Sequence, residues 1–167
     1  MTTLEKANPG KNSTDDEIQV VEFILGDNKF AINLFDVREI VESMRITPLP
    51  HTPSHIKGII DLRGEITTVI DLKSLLKIQI AGTESQTDSR LIVLDSSITA
   101  IKTGILVDDV SSVLTVSMED IDQSHTNDED AHILGIIKKF LDNSNDSKSE
   151  LVIWLDVKTL LENVTSG

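Results

Sequence analysis

The chain repeats itself. "IDLKSLLK" at 70–77 returns as "LDVKTLLE" at 155–162. Each copy ends an apolar, β-branched run. Each also places an aspartate, Asp71 or Asp156, where its carboxylate can accept hydrogen bonds from the free amides of a short helix. An apolar strand, an Asp cap and an amphipathic turn, met once in each half of 167 residues, imply two like units. The length suits one domain or two small ones sharing a core. Only 3% of the residues are aromatic, so that core is built from Ile, Leu and Val, which favour strands.

The segments between the two repeats fill in the same picture. Residues 1–17, with "NPG", read as a disordered polar tail. "IQVVEFIL", "GDN" and "KFAI" read as a strand, a turn and a returning strand. Asn33 then caps an expected short helix, "LFDVREIVE", with Leu34, Val37, Ile40 and Val41 on one face. Pro48, Pro50 and Pro53 make the next segment an irregular loop. "KGIIDL" and "EITTVI" form a hairpin around Arg63-Gly64, where Gly64 can supply a positive φ. Residues 79–89 are a polar connector. The second half offers strands at 90–95, 100–108 and 110–116, a capping Ser117, and a last hairpin from "HILGIIKKF" and "ELVIWLD". Short strands at near-even spacing suit small barrels, which leave no open sheet edges. The fold expected is all-β: two packed barrels, each closed by a short helix, one of them C-terminal.

Several chemistries find no footing. With no cysteine, disulfides, thiolate nucleophiles and cysteine zinc sites are excluded. A net charge of −13 repels phosphate backbones, so nucleic acid is not an expected partner. The N-terminus lacks the apolar centre of a secretory signal, and no apolar run approaches the roughly 20 residues of a membrane span. A cytoplasmic protein without membrane insertion is expected. "HTPSH" (51–55) spaces two histidines like a helical zinc pair, but Pro53 intervenes and the motif's Glu is missing. Glycine-rich phosphate cradles and nucleophile elbows are absent. Asp108 and Asp109 point apart at a strand end. His125, near Asp122 and Asp128, would lack preorganisation in a flexible loop. Residues 117–131 carry six acidic side chains and no Lys or Arg; they read as a solvated loop, and without a glycine they make a poor calcium site. No cofactor, no metal and no catalytic residue is expected.

"TPSHIKGIIDLRGEITTVIDLKSLL" resembles the hallmark segment of the CheW family of chemotaxis coupling proteins. "GILVDDVSSVLTV" (104–116), "AINLFDVREIVE" (31–42) and "ELVIWLDVKTLL" resemble further signatures, so the likeness spans about 18–164. It implies two five-stranded SH3-like barrels, at roughly 18–78 and 88–164, with strand exchange between them left open. It also implies a non-enzymatic adaptor, recruited to membrane-associated receptor arrays, that bridges the cytoplasmic tip of a chemoreceptor to the regulatory domain of a chemotaxis histidine kinase. Thr68, Asp109 and a long last hairpin loop depart from the usual pattern. No receiver or kinase segment is expected after Gly167. A coupling protein of another motility or kinase pathway, or a cation- or ligand-binding barrel, is the alternative.

Arg63 has two readings. It is a solvated hairpin tip, or it is a donor fork beside the groove between barrels that clamps a carboxylate or pairs with Asp61 or Glu39. The resemblance favours the second. It carries over a receptor groove of Val37, Glu39, Ile40, Gly58, Arg63, Gly64 and Val113, with the two glycines admitting a close backbone. For Val37, Ile40 and Val113, plain core packing competes with that role. An apolar groove with a polar rim would receive the face of a receptor helix. The kinase-facing residues are not assigned.

Overall fold

The computed structural model describes residues 16–42, 44–78, 89–124, 132–140 and 149–165. Eleven strands and two helices are present among them. β1 (Glu17–Leu25) and β2 (Asn28–Asn33) form the first hairpin, turning at Gly26 with φ +60°. The helix expected over 34–42 does not form. Only Leu34–Asp36 makes a 3-10 turn, and Val37–Val41 is a strand, β3. The 3.6-residue spacing of the apolar positions is overridden by β-branched residues at Val37, Ile40 and Val41. It is overridden also by a strand edge at 91–94 on which residues 37–41 pair.

β4 (Ile56–Leu62) and β5 (Glu65–Asp71) flank Arg63-Gly64, and α1 (Leu72–Leu76) follows. The second half holds β6 (Arg90–Leu94), β7 (Thr103–Val107), β8 (Asp109–Ser117) and β9 (Ile121–Asp122). It closes with β10 (Ile133–Phe140), β11 (Ser149–Leu155) and α2 (Val157–Thr165). Asn33 makes no capping bond, and its Oδ1 instead accepts from Trp154 Nε1 at 3.0 Å; the other three expected caps form. Asp71 Oδ1 accepts from Lys73 N at 3.2 Å, and Asp156 Oδ1 from Thr159 N at 3.3 Å. Ser117 caps a 3-10 turn through Glu119 N.

One sheet has five strands in the order β3-β6-β7-β5-β4; the other has six, β8-β1-β2-β11-β10-β9. Each draws strands from both halves of the chain. Each also brings its edges together in the same way. The chain leaving edge strand β3 reaches Thr47, which exchanges both backbone hydrogen bonds with Ile59 on the opposite edge, at 2.8 and 2.9 Å. The chain leaving β8 passes through the 3-10 turn into β9, which pairs with β10. The first half of the acidic segment 117–131 is not the solvated loop expected: it forms the 3-10 turn and β9, and Ile121 packs into the core. Residues 125–131, its second half, and 141–148, the long hairpin loop, lie outside the described residues.

The largest apolar cluster joins the two sheets. It unites Phe23, Leu25, Phe30 and Ile32 with Ile70, Ile92, Ile105 and the helix residues Leu72, Leu160 and Leu161. Smaller clusters fill each sheet's own concave side: Val20, Ala31, Ile137, Val152 and Trp154 in one, Ile60, Val69, Leu91 and Val93 in the other. The six-stranded interior also holds a charge. Glu22 is fully buried, 3.2 Å from Lys139 Nζ and 3.6 Å from Lys29 Nζ, and Glu150 completes the network. A buried carboxylate is tolerable only with such partners.

Candidate functional site

The feature with the most defined chemistry is a fork between Arg63 and Glu39. The guanidinium donates from Nη1 to Glu39 Oε2 at 2.8 Å and from Nη2 to Oε1 at 2.7 Å. Two parallel charge-assisted bonds fix orientation as well as distance. Local chain geometry delivers Arg63 there. Arg63 and Gly64 both have positive φ, 53° and 87°, as a two-residue hairpin turn with matching twist demands. Asp61 Oδ1 accepts from Gly64 N at 2.8 Å, which pins the turn. Asp61 therefore serves the backbone, and Glu39 is the partner of Arg63.

Glu39 sits on β3 and Arg63 at the tip of the β4–β5 hairpin. β3 and β4 are the two edges of the five-stranded sheet, so the fork spans its seam. The Arg63 side chain remains 72% exposed and Glu39 20%. Hydrogen bonding from Arg63 holds the Glu39 carboxyl below its usual range, with smaller help from the charges of Arg38 and Lys102. The same bonds raise Arg63. Lys102 forms a further ion pair with Glu65. A guanidinium has five N–H donors, of which this fork uses two.

The other residues carried over from the resemblance are dispersed. Val37 is half-buried against the core that joins the sheets. Ile40 is exposed on β3, and Val113 is exposed on β8, the edge of the other sheet, where it pairs with Val21. Among the described residues no hydrogen bond or ion pair links Val113 to the fork. Gly64 stands open, with nothing within 4 Å of where a Cβ would be. Gly58 is buried, and the backbone that approaches it is the chain's own: a Cβ there would lie 2.2 Å from the Thr47 carbonyl oxygen.

A longer internal repeat escapes a reading of the caps alone. "HIKGII" (55–60) and "HILGII" (132–137) differ at one position. They open β4 and β10 with the same irregularity, between Ile56 and Gly58 and between Ile133 and Gly135. The carbonyls of His55 and His132 accept from the capping residues, Asp71 N and Asp156 N, each at 2.7 Å. The signal was the second HI-x-GII string, 77 residues after the first.

Two packed, duplicated β-sheets with one preset ion-pair fork define a binding scaffold. Among the described residues no group of acidic or histidine side chains is placed to hold a metal, and no helix is long and apolar enough to cross a membrane. The CheW-like domain, as a family, matches residues 19–165. The chain is 33% identical over 114 residues to a chemotaxis protein CheW of Rhizobium meliloti, covering 68% of this chain and 71% of that one. It is 26% identical over 150 residues to the Thermotoga maritima CheW, covering 89% and 91%. The scaffolding protein TtCheW from Thermoanaerobacter tengcongensis has a similar structure, with a TM-score of 0.69 at 31% identity, covering 88% of this chain and 94% of that one. The chain belongs to the CheW family. It is a scaffold or adaptor protein, not an enzyme.

Proposed function

We propose that this protein couples the cytoplasmic tip of a chemoreceptor to a chemotaxis histidine kinase, within arrays at the membrane. The observation that carries this reading is the Arg63–Glu39 fork: a guanidinium held in one orientation, most of its surface in solvent, with donors to spare. Beside it, exposed Ile40 on β3 offers apolar contact. A helical hairpin presenting small apolar residues and a carboxylate or backbone carbonyl matches that combination. Val113 on the second sheet would extend the contact. The kinase's regulatory domain engages a different face, since a bridge must hold both partners at once.

The test is a pair of titrations on separated partners. Arg63→Ala should leave the melting curve close to native, because its side chain is largely solvated and a surface change stays within about 0.5 kcal/mol. It should weaken binding of a receptor cytoplasmic fragment and lower receptor-coupled kinase activation. Glu39→Lys should cut receptor affinity and spare kinase affinity. Normal coupling by Arg63→Ala would reduce the fork to a seam brace. Equal loss of both partners with an unchanged melt would place them on one surface.

A further inference from the structure

The duplication can be followed strand by strand. The caps align Asp71 with Asp156, so Val69 matches Trp154, and the HI-x-GII strings align Leu62 with Lys139. The parallel neighbours then match Gly104 with Ala31 and, two residues on, Leu106 with Asn33. Val93 pairs with Gly104 as Glu22 pairs with Ala31, so Val93 matches Glu22. The next strands agree: Glu39 pairs with Val93 and Ser112 with Glu22, each beside a register irregularity at the same place. Each sheet is thus one half's strands completed by the other half's hairpin, β1–β2 on β8–β11 and β6–β7 on β3–β5.

Some contacts between hairpin and sheet are alike in both. Lys29–Glu150 and Lys102–Glu65 are matching ion pairs. Two contacts differ. Where β1–β2 meets β10–β11, the fully buried Glu22 accepts from Lys139 Nζ at 3.2 Å, and Trp154 Nε1 donates to Asn33 Oδ1 at 3.0 Å. At the matching places Val93 and Leu62, and Leu106 and Val69, lie in one apolar cluster. The same architecture therefore forms without either polar pair. Glu22 Oε2 has no hydrogen-bond partner among the described residues and lies 3.6 Å from Lys29 Nζ. Lys139 supplies the hydrogen bond to this carboxylate, and Lys139 is the cation that the other sheet lacks.

We propose that these two polar pairs sort the halves: they direct the β1–β2 hairpin to the β8–β11 sheet and reject pairing of like halves from two copies of the chain. Duplicated halves carry that hazard. Each hairpin leaves its own half, and the sheet it joins can belong to its own chain or to the like half of another molecule. A first half on a second copy's first half would set Glu22 against Leu62 and Asn33 against Val69. Lys29, on the same hairpin, would follow Glu22, but the Lys139 partner would be gone. A second half on a second half would set Lys139 against Val93 and the Trp154 indole N–H against Leu106. Removing one partner of a buried polar pair costs far more than replacing both by apolar residues. Only the unlike pairing gives all four side chains a polar partner, much as one buried polar residue fixes partner and register in a coiled coil. The inference does not rest on the receptor reading, since none of the four residues belongs to the fork.

The test is refolding of the full chain from urea at high protein concentration, with tagged and untagged chains mixed, then dilution and sedimentation velocity. Oligomers with exchanged halves hold both kinds of chain and persist on dilution, because their sheets are interleaved; contacts between folded surfaces dissociate. Two variants remove the difference between the sheets from opposite sides. Glu22→Val with Asn33→Leu, Lys139→Leu and Trp154→Val gives the second sheet the residues of the first. Leu62→Lys with Val93→Glu gives the first sheet the charged pair of the second. Each should raise the persistent mixed fraction roughly tenfold or more above that of the native chain, although one loses buried charge and the other gains it. If the four-residue variant does not refold, the charged variant decides alone. Refolding of the variants to monomer as completely as the native chain would overturn the inference. So would a native chain that itself forms persistent mixed oligomers, or failure of both variants to fold, since the pairs would then serve folding itself rather than sorting.

Discussion

Gly58→Ala separates a structural from a docking role at one of the receptor-groove positions. Gly58 lies at φ +148°, a region that residues with a Cβ rarely enter. A Cβ there would sit 2.2 Å from the Thr47 oxygen and 2.8 Å from the Thr47 carbonyl carbon, both backbone atoms that cannot rotate aside. Relief requires Thr47 to move off β4, which sacrifices the two seam bonds to Ile59. At about 0.5–1.5 kcal/mol per net hydrogen bond, that loss is roughly 1–3 kcal/mol. The strained backbone adds about 1–3 kcal/mol. The expected cost is therefore about 2–6 kcal/mol, a large part of the roughly 5–15 kcal/mol that holds an ordinary domain together. Gly135 is the control. Its nearest atom would be Ile121 Cγ2 at 2.7 Å, part of a side chain, and its φ is ordinary, so Gly135→Ala should cost only about 1–2 kcal/mol. Urea titration of the two variants beside the native chain, with m-values compared, measures both. Gly58→Ala should lose receptor binding only in proportion to its unfolded fraction. A variant that melts within about 1 kcal/mol of native yet fails to bind receptor would refute this account and make Gly58 a contact residue.

Thr67→Val should stabilise the protein by about 1–2 kcal/mol. The Thr67 hydroxyl is fully buried with no partner among the described residues, while Val152 stands at the matching place opposite Ile137; a lower denaturation midpoint would mean the hydroxyl is bonded. Asp36→Asn should stabilise at neutral pH by about 0.5–1 kcal/mol, because burial, and then the charges of Asp156 and Asp95, raise the Asp36 carboxyl above its usual range. With a raised folded pKa the native state binds the extra proton. The cost is therefore present above the folded value, falls away as pH drops through it, and should vanish near pH 3; a gain that persists there would contradict this origin.

The parts legible in sequence were those fixed locally. Asp71, Asp156 and Ser117 announce their caps because a carboxylate or hydroxyl at a helix start has few other uses. Arg63-Gly64 announces a hairpin because few residue pairs tolerate two positive φ values. The segment 34–42 departs from the helix its spacing predicts because that spacing fits a helix and a strand alike; the deciding term is a pairing edge at 91–94, some fifty residues away. The fork was half-legible. Arg63 stands out in sequence, where Asp61 and Glu39 are equal candidates for its partner; the bond from Gly64 N to Asp61 separates them. In sequence Gly58 reads as a place where a partner's backbone could approach. What it admits is Thr47, a contact set by the closure of the sheet and invisible along the strand.

The same long-range logic explains why the sheets interleave. β2 runs into β3 through three residues, and β7 into β8 through Asp108 alone. Connections that short cannot turn the chain back, so each half leaves one sheet and continues into the other. The β1–β2 hairpin completes the sheet of β8–β11, and the β6–β7 hairpin completes the sheet of β3–β5. Both crossovers are pinned: Asp95 N donates to the Asp36 carbonyl at 2.8 Å, and Asp108 N to that of Ile24 at 3.0 Å. Neither sheet can then be completed without the other half, and the apolar cluster between them uses residues from every hairpin. The two sheets should consequently unfold together, in one transition. A scaffold gains from this arrangement. Its fork on one sheet and the exposed Val113 on the other lie on different elements, yet short crossovers and a shared core hold them in one fixed relation, so partners bound at separate places are set in defined geometry.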